Sequence, residues 1–157
     1  MRKRIITKGD QGVMPPDQTW LDLENLAQAE LTSEDVSHPI ESALKPNEDS
    51  GWRASEPGQQ TVRLLFDKPL RVRRVPLVFH ADEQERTHEF VLRWSSDGGQ
   101  SYREIVRQQY NFSLPDNIRE IEDYAVDLVG MTTLELSIIP DISGGSARAS
   151  IGQIRLT

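Results

Sequence analysis

From residue 60 onward, apolar and polar positions alternate in one short run after another. Val62, Leu64 and Phe66 alternate with Thr61, Arg63 and Leu65. Val75, Leu77 and Phe79 repeat the pattern, and Phe90, Leu92 and Trp94 do so against Glu89, Val91 and Arg93. Successive side chains of an extended chain point to opposite faces, so a period of two marks a strand with one buried face. Tyr124, Val126 and Leu128 form a further run. Leu134, Leu136 and Ile138 form the cleanest one, stopped by Pro140, and Ala149, Ile151, Ile154 and Leu156 close the chain. No long helical period interrupts these runs, which argues against βαβ units and predicts an all-β sandwich of antiparallel strands.

Breaks in the alternation carry their own predictions. Pro76 cannot donate a ladder hydrogen bond, so its run is expected at an edge or a bulge. Residues 101–112 read as one long strand. Tyr102, Val106, Tyr110 and Phe112 share one parity there and Ile105 has the other, which predicts a bulge. A phase slip at Gly152 predicts another. Residues 113–120 read as a loop. Ser95-Ser96-Asp97-Gly98-Gly99 reads as a hairpin tip, because Asp-Gly between alternating strands suits a turn with positive φ. No helix follows these glycines, so they are not a phosphate loop.

The first 58 residues are less regular. Gly9, Gly12, Pro15 and Pro16 mark residues 1–19 as an extended N-terminal arm, leaving residues 20–157 as a single domain. Trp20, Leu21, Leu23 and Leu26 are spaced for a helical turn or a strand lead-in, and Ala29 to Thr32 for a first strand. Pro39 to Leu44 predicts a short helical turn, capped by Ser37 and ended by Pro46. Trp52 stands alone in a polar stretch, as a plug for one end of the sandwich.

Composition narrows the function classes. A chain of 157 residues is one domain's worth. It can bury roughly 70% of its unfolded surface without staples. Cysteine is absent, which excludes disulfides and thiolate metal sites and fits a reducing compartment. The basic start at Met1 to Arg4 lacks the apolar stretch of a signal peptide, and no run approaches the roughly 18 apolar residues of a membrane span. The expectation is a soluble, cytoplasmic protein. A net charge of −7 repels a phosphate backbone, so no nucleic-acid partner is expected. Arginine greatly outnumbers lysine, which suits cross-strand pairing with glutamate on solvated sheet faces.

The order of several short motifs resembles the discoidin-like (coagulation-factor type C) family. Thr32-Ser33-Glu34, Pro39-Ile40-Glu41-Ser42-Ala43-Leu44 and Gly51-Trp52-Arg53-Ala54 are similar to the opening of that domain. Gln60 to Pro69 is similar to its next strand. Trp94-Ser95-Ser96-Asp97-Gly98-Gly99 with Tyr102 matches its S-x-D-G hairpin, and Ala149 to Ile154 its last strand. The resemblance covers roughly residues 29–156 and implies a galactose-binding-domain-like jelly-roll β-sandwich of about eight strands. It also implies binding of carbohydrate, phospholipid or protein through loops at one end. The family's structural-calcium loop is altered: Lys45-Pro46 replaces Asp-Gly and Gln153 replaces a glutamate, although Asn47, Glu48 and Asp49 are nearby. Both changes weaken a site for a hard cation, so no cofactor is expected.

No nucleophile motif is present, and no carboxylate pair stands out, so no catalytic residue is expected. His80 and His88 flank an acidic loop but lack the spacing of a metal pair. Sugars offer C–H faces to aromatics and hydroxyls to planar polar side chains, which singles out two clusters. One is Trp52, Arg53 and Glu56. The other is Arg107, Gln108, Gln109, Tyr110, Asn111 and Phe112. Asp141, Ser143 and Arg148 flank the Gly144-Gly145 loop and could join either. The expected function is a non-catalytic module binding a carbohydrate or similar polyhydroxylated ligand. The alternative is an assembly subunit that meets a protein partner, or another copy of itself, through the N-terminal arm or an Arg-rich sheet face.

Overall fold

A computed structural model describes residues 20–45, 50–81 and 84–157. The arm expected over residues 1–19 lies outside them, as do Pro46, Asn47, Glu48 and Asp49. Two single helical turns, α1 (Leu23–Leu26) and α2 (Glu41–Leu44), accompany eight strands: β1 (Ala27–Leu31), β2 (Trp52–Pro57), β3 (Gln60–His80), β4 (Arg86–Ser95), β5 (Arg103–Phe112), β6 (Arg119–Ile139), β7 (Arg148–Ile151) and β8 (Gln153–Ile154). All strand pairs are antiparallel.

The sandwich hangs on β3 and β6, each 21 residues long and paired with the other from Gln60↔Ile138 to His80↔Arg119. Their register slips between Leu65 and Arg74, where Asp67-Lys68-Pro69 and the positive-φ Gly130 turn the ribbon. One half of the ribbon is flanked by β1 and by β4–β5, giving the order β1-β3-β6-β4-β5. The other half carries β8 on its edge, with the β2–β7 pair alongside. The two halves face each other. Phe79, in the second half, has no ladder bond to β4, yet its ring stacks on Phe90 at 4.8 Å and meets His88 edge-on at 4.9 Å.

The inward positions of the alternation fill this core. Phe90, Leu92, Leu134, Leu136 and Ile138 are buried, while Trp94, Tyr124 and Val126 are half-buried. The bulge expected in residues 101–112 is present: Leu92 pairs with Val106 and Arg93 with Glu104, leaving Ile105 as the extra residue. Other expectations are corrected. Ser37 does not cap α2; Ile40 precedes the helix, and its N–H bonds the Glu34 carboxylate at 2.9 Å instead. The slip at Gly152 is a change of partner, because β7 pairs with β2 while β8 pairs with β3. Pro76 sits inside the sheet, between β6 and the C-terminal segment. Its carbonyl accepts Arg155 N–H at 3.1 Å but it cannot donate in return, and regular pairing of β8 ends at Ile154.

The outer face of the five-strand layer carries a row of alternating charge. Glu30, Arg63, Glu135, Arg93 and Glu104 lie opposite one another across five successive strands. Glu135 is only 5% exposed and takes Arg63 Nε at 2.8 Å and Arg93 Nη1 at 3.5 Å. The arginines of this face are thus neutralised within the sheet. Glu135→Gln is expected to lower stability by about 2 kcal/mol, since it weakens two charge-assisted contacts of a buried carboxylate. Arg71→Gln, which opens only the exposed Arg71–Asp127 pair, is expected to cost less than about 1 kcal/mol. Urea denaturation of both variants measures the contrast.

The hairpin tip is self-contained. Asp97 accepts Ser95 Oγ at 2.6 Å, Ser101 N at 2.9 Å and Ser101 Oγ at 2.5 Å. Those bonds, the Ser101 hydroxyl first, hold its carboxyl down at about 2. Its acceptor positions serve the turn itself.

Candidate functional site

A cleft of about 170 Å³ opens where the loops gather beside β2, β7 and the end of β3. Its floor is the β2–β7 pair, in which Trp52 faces Ile151 and Arg53 faces Ser150. Along β2 the side chains alternate. Trp52 turns into the core at 0% exposure, and Arg53 turns toward the cleft and is half-exposed. Gly51 makes the entry into β2 possible, since its φ of +62° favours glycine and a Cβ there would collide with the Ile151 carbonyl oxygen.

His38 forms one wall. Its loop is stitched to β2 by Arg53 N–H to the His38 carbonyl at 3.1 Å and Asp35 N–H to the Arg53 carbonyl at 2.8 Å. His38 Nδ1 lies 3.6 Å from the Asp35 carboxylate. That carboxyl is held below its ordinary value, first by the Ser37 N–H and then by charges that include His38 and Arg148. His80, the last residue of β3, forms the opposite wall, and its carbonyl accepts the Ser150 hydroxyl at 2.8 Å. Ser50, Ile151 and Gly152 complete the lining.

Of the residues singled out from sequence, Trp52 and Arg53 line the cleft. Trp52 offers no ring face to a ligand, and its indole N–H has no hydrogen-bond partner. Arg148 sits on β7 two residues before Ser150; its carbonyl accepts Arg86 Nη2 at 3.3 Å. Glu56 is exposed three residues beyond Arg53 on β2, about 10 Å away at the rise of a strand.

The second cluster lies elsewhere, on the edge strand β5. Arg107 pairs with Glu104 at 3.2 Å and Glu89 at 3.7 Å, and Gln109 donates to Glu89 at 3.2 Å. The Tyr110 hydroxyl meets Asn117 at 2.5 Å and the Arg119 carbonyl at 3.2 Å. Asn111 accepts the Thr87 hydroxyl through its side chain and Asn117 Nδ2 at 2.7 Å through its carbonyl. Phe112 is buried, and Gln108 is exposed on the strand. These groups bind the strand to its neighbours and to the loop that follows. Asp141 and Ser143 likewise close their own turn, at 2.7 Å between the carboxylate and the hydroxyl.

The cleft residues that sequence reasoning missed are His38, Ser50, His80 and Ser150. His80 and His88 do not meet as a pair. His80 is exposed at the cleft, whereas His88 is buried on β4 with Nε2 2.6 Å from Glu120 Oε1. Burial, then the Arg86 charge, push His88 down to about 4. Burial raises Glu120, and burial with the Glu120 hydrogen bond raises neighbouring Glu122 to about 7. Among the described residues no group of three or more His, Asp or Glu side chains is placed to hold a metal ion, and no helix is long and apolar enough to cross a membrane. Lys45 pairs with Glu24 at 3.7 Å.

The architecture defines a class: the chain has the discoidin-like, galactose-binding-domain-like jelly-roll fold. No family model and no curated protein matches the sequence. Solved structures match the fold. A family 32 carbohydrate-binding module of NanJ from C. perfringens, in complex with galactose, shares 15% identity over 87% of this chain and 96% of its own, with a TM-score of 0.62. A second family 32 module, from Clostridium perfringens and in complex with GalNAc-β-1,3-galactose, shares 17% over 88% and 99%, with a TM-score of 0.66. The family 32 module of AlyQ, in complex with 4,5-unsaturated mannuronic acid, shares 17% over 84% and 95%, with a TM-score of 0.55.

Proposed function

We propose that this chain is a non-catalytic carbohydrate-binding module and that the cleft between His38, Arg53, His80 and Ser150 holds the sugar. The observation that carries this reading is a small polar cleft, at the loop end of a sandwich, on a fold whose solved neighbours hold saccharides. Arg53 brings a fork of five N–H donors, and Ser50 and Ser150 bring hydroxyls that both donate and accept, which matches the hydroxyl pattern of a pyranose. At about 170 Å³ the cleft is well below the roughly 300 Å³ at which drug-sized sites begin, so it suits one sugar ring. Arg53 and Ser150 sit on paired strands rather than on a mobile tip, so their geometry is set before a ligand arrives.

Titration of the labelled protein with a saccharide panel, followed by amide chemical shifts, tests the reading. The expected perturbations fall on residues 50–53 and 148–152 and on His38 and His80. Arg53→Gln is expected to weaken binding by about tenfold or more, the loss of one charge-assisted bond, with the fold retained by circular dichroism. Tyr110→Phe, in the β5 cluster, is expected to leave affinity unchanged. Perturbations confined to β5, with Arg53→Gln silent, would refute this placement.

A further inference from the structure

We propose that the preferred ligand of this cleft is an acidic sugar, a hexuronate at the end of a chain, rather than the neutral hexose of the same configuration. This rests on the carbohydrate reading above and adds the chemical class of the ligand. On a chain with 25 Asp and Glu against 18 Lys and Arg, the titratable side chains among the described cleft residues are all bases: His38, Arg53 and His80. Arg148 adds a further positive charge close enough to act on Asp35, the carboxylate beside the His38 wall. Asp35 itself is engaged by Ser37 N–H at 3.0 Å and faces His38 Nδ1.

The second argument concerns what the cleft lacks. A neutral pyranose bound in water gains much of its affinity by laying a C–H face on an exposed aromatic ring. The aromatic residue among the described lining is Trp52, and it is fully buried. Affinity must then come from hydrogen bonds and charge. Charge-assisted bonds to a carboxylate are about twice as strong as neutral ones, and a guanidinium fork matches a carboxylate two bonds at a time. With five donors, Arg53 can keep its contacts within the protein and still offer N–H groups to a ligand. The C6 carboxylate of a hexuronate is the group that a neutral hexose lacks. A cleft that fits one ring places that residue at a chain end.

Calorimetric titration of the full chain with matched pairs decides the point: galactose with galacturonate, glucose with glucuronate, mannose with mannuronate. Each pair differs only in oxidation at C6. In at least one pair the uronate is expected to bind about tenfold tighter than its hexose. That preference should shrink in high salt and disappear in Arg53→Gln, whose fold is checked by circular dichroism. If the hexose binds as tightly as its uronate in every pair that binds, or if Arg53→Gln keeps the preference, this inference falls and the carbohydrate reading stands. If no saccharide of either kind binds, both fall.

Discussion

Replacing Trp52 by alanine is expected to lower the unfolding free energy by about 3–5 kcal/mol, the range for deleting a large buried aromatic. The ring is 0% exposed and belongs to the same core cluster as Phe79, Phe90 and Ile151. Its strand, β2, is tied to β7 on one side and to the His38 loop on the other, so the surroundings can collapse only partly into the space. Trp52→Phe separates packing from polarity. It keeps most of the ring volume and deletes an indole N–H that has no hydrogen-bond partner, a group whose burial carries a desolvation penalty of about 1–3 kcal/mol. The phenylalanine variant is therefore expected to lose far less, about 1 kcal/mol. Urea denaturation checks both. A loss below about 1 kcal/mol for the alanine variant would show that the ring does not sit in the core.

The second large effect is a hidden pH dependence in the His88 cluster. Arg86, Glu120, Glu122 and Tyr124 are the titratable groups that act on or beside His88. His88 is pushed from an ordinary 6.5 to about 4, so between those values the unfolded chain binds more protons and stability rises with pH. Glu122 is pushed from an ordinary 4.5 up to about 7, so across that window the folded chain binds more protons and stability falls with pH. The opposing slopes overlap, and the wild-type profile should rise by only about 1–2 kcal/mol from about pH 4.5 to 6.5. Glu122→Gln removes the falling slope. Its stability should then climb by about 3 kcal/mol between pH 4 and 6.5, at 1.36 kcal/mol per unit of the His88 shift. His88→Gln should leave only the fall, on the order of 1–2 kcal/mol because Glu122 is partly solvated. Chemical denaturation from pH 4 to 8 reads all three profiles. Parallel profiles for wild type and Glu122→Gln would show that these groups do not titrate in opposition.

Much of the sandwich was legible in the alternation itself. Leu134, Leu136 and Ile138 could only be an inner face, and the parity of Ile105 against Tyr102 and Val106 located a real bulge. What the pattern concealed were features set by distant partners. The slip at Gly152 looks the same in sequence whether a strand bulges or changes neighbour. Pro76 is tolerated inside the sheet because its missing donor faces the C-terminal segment, a fact fixed some eighty residues downstream. The cleft was half legible. Trp52 and Arg53 stood out as an aromatic and a guanidinium in a polar stretch. Ser150 was hidden as the outward partner of Ala149 and Ile151, and His38 and His80 as ordinary loop and strand-end histidines. The β2–β7 pairing, the Arg53–His38 backbone bond and the Ser150–His80 bond bring the five together. On β5, planar polar side chains that look available in sequence are matched to Glu89, Asn117 and Thr87 in the fold, while Gln108 stays exposed.

Because β3 and β6 each pass through both halves of the molecule, neither half exists as a fragment with a complete set of partners. Cleaving the backbone near Lys68 would cut β3 where it passes between the halves and leave β6 to join them. The domain should therefore melt as a single unit, and the end that carries the cleft should not survive dissection from the rest.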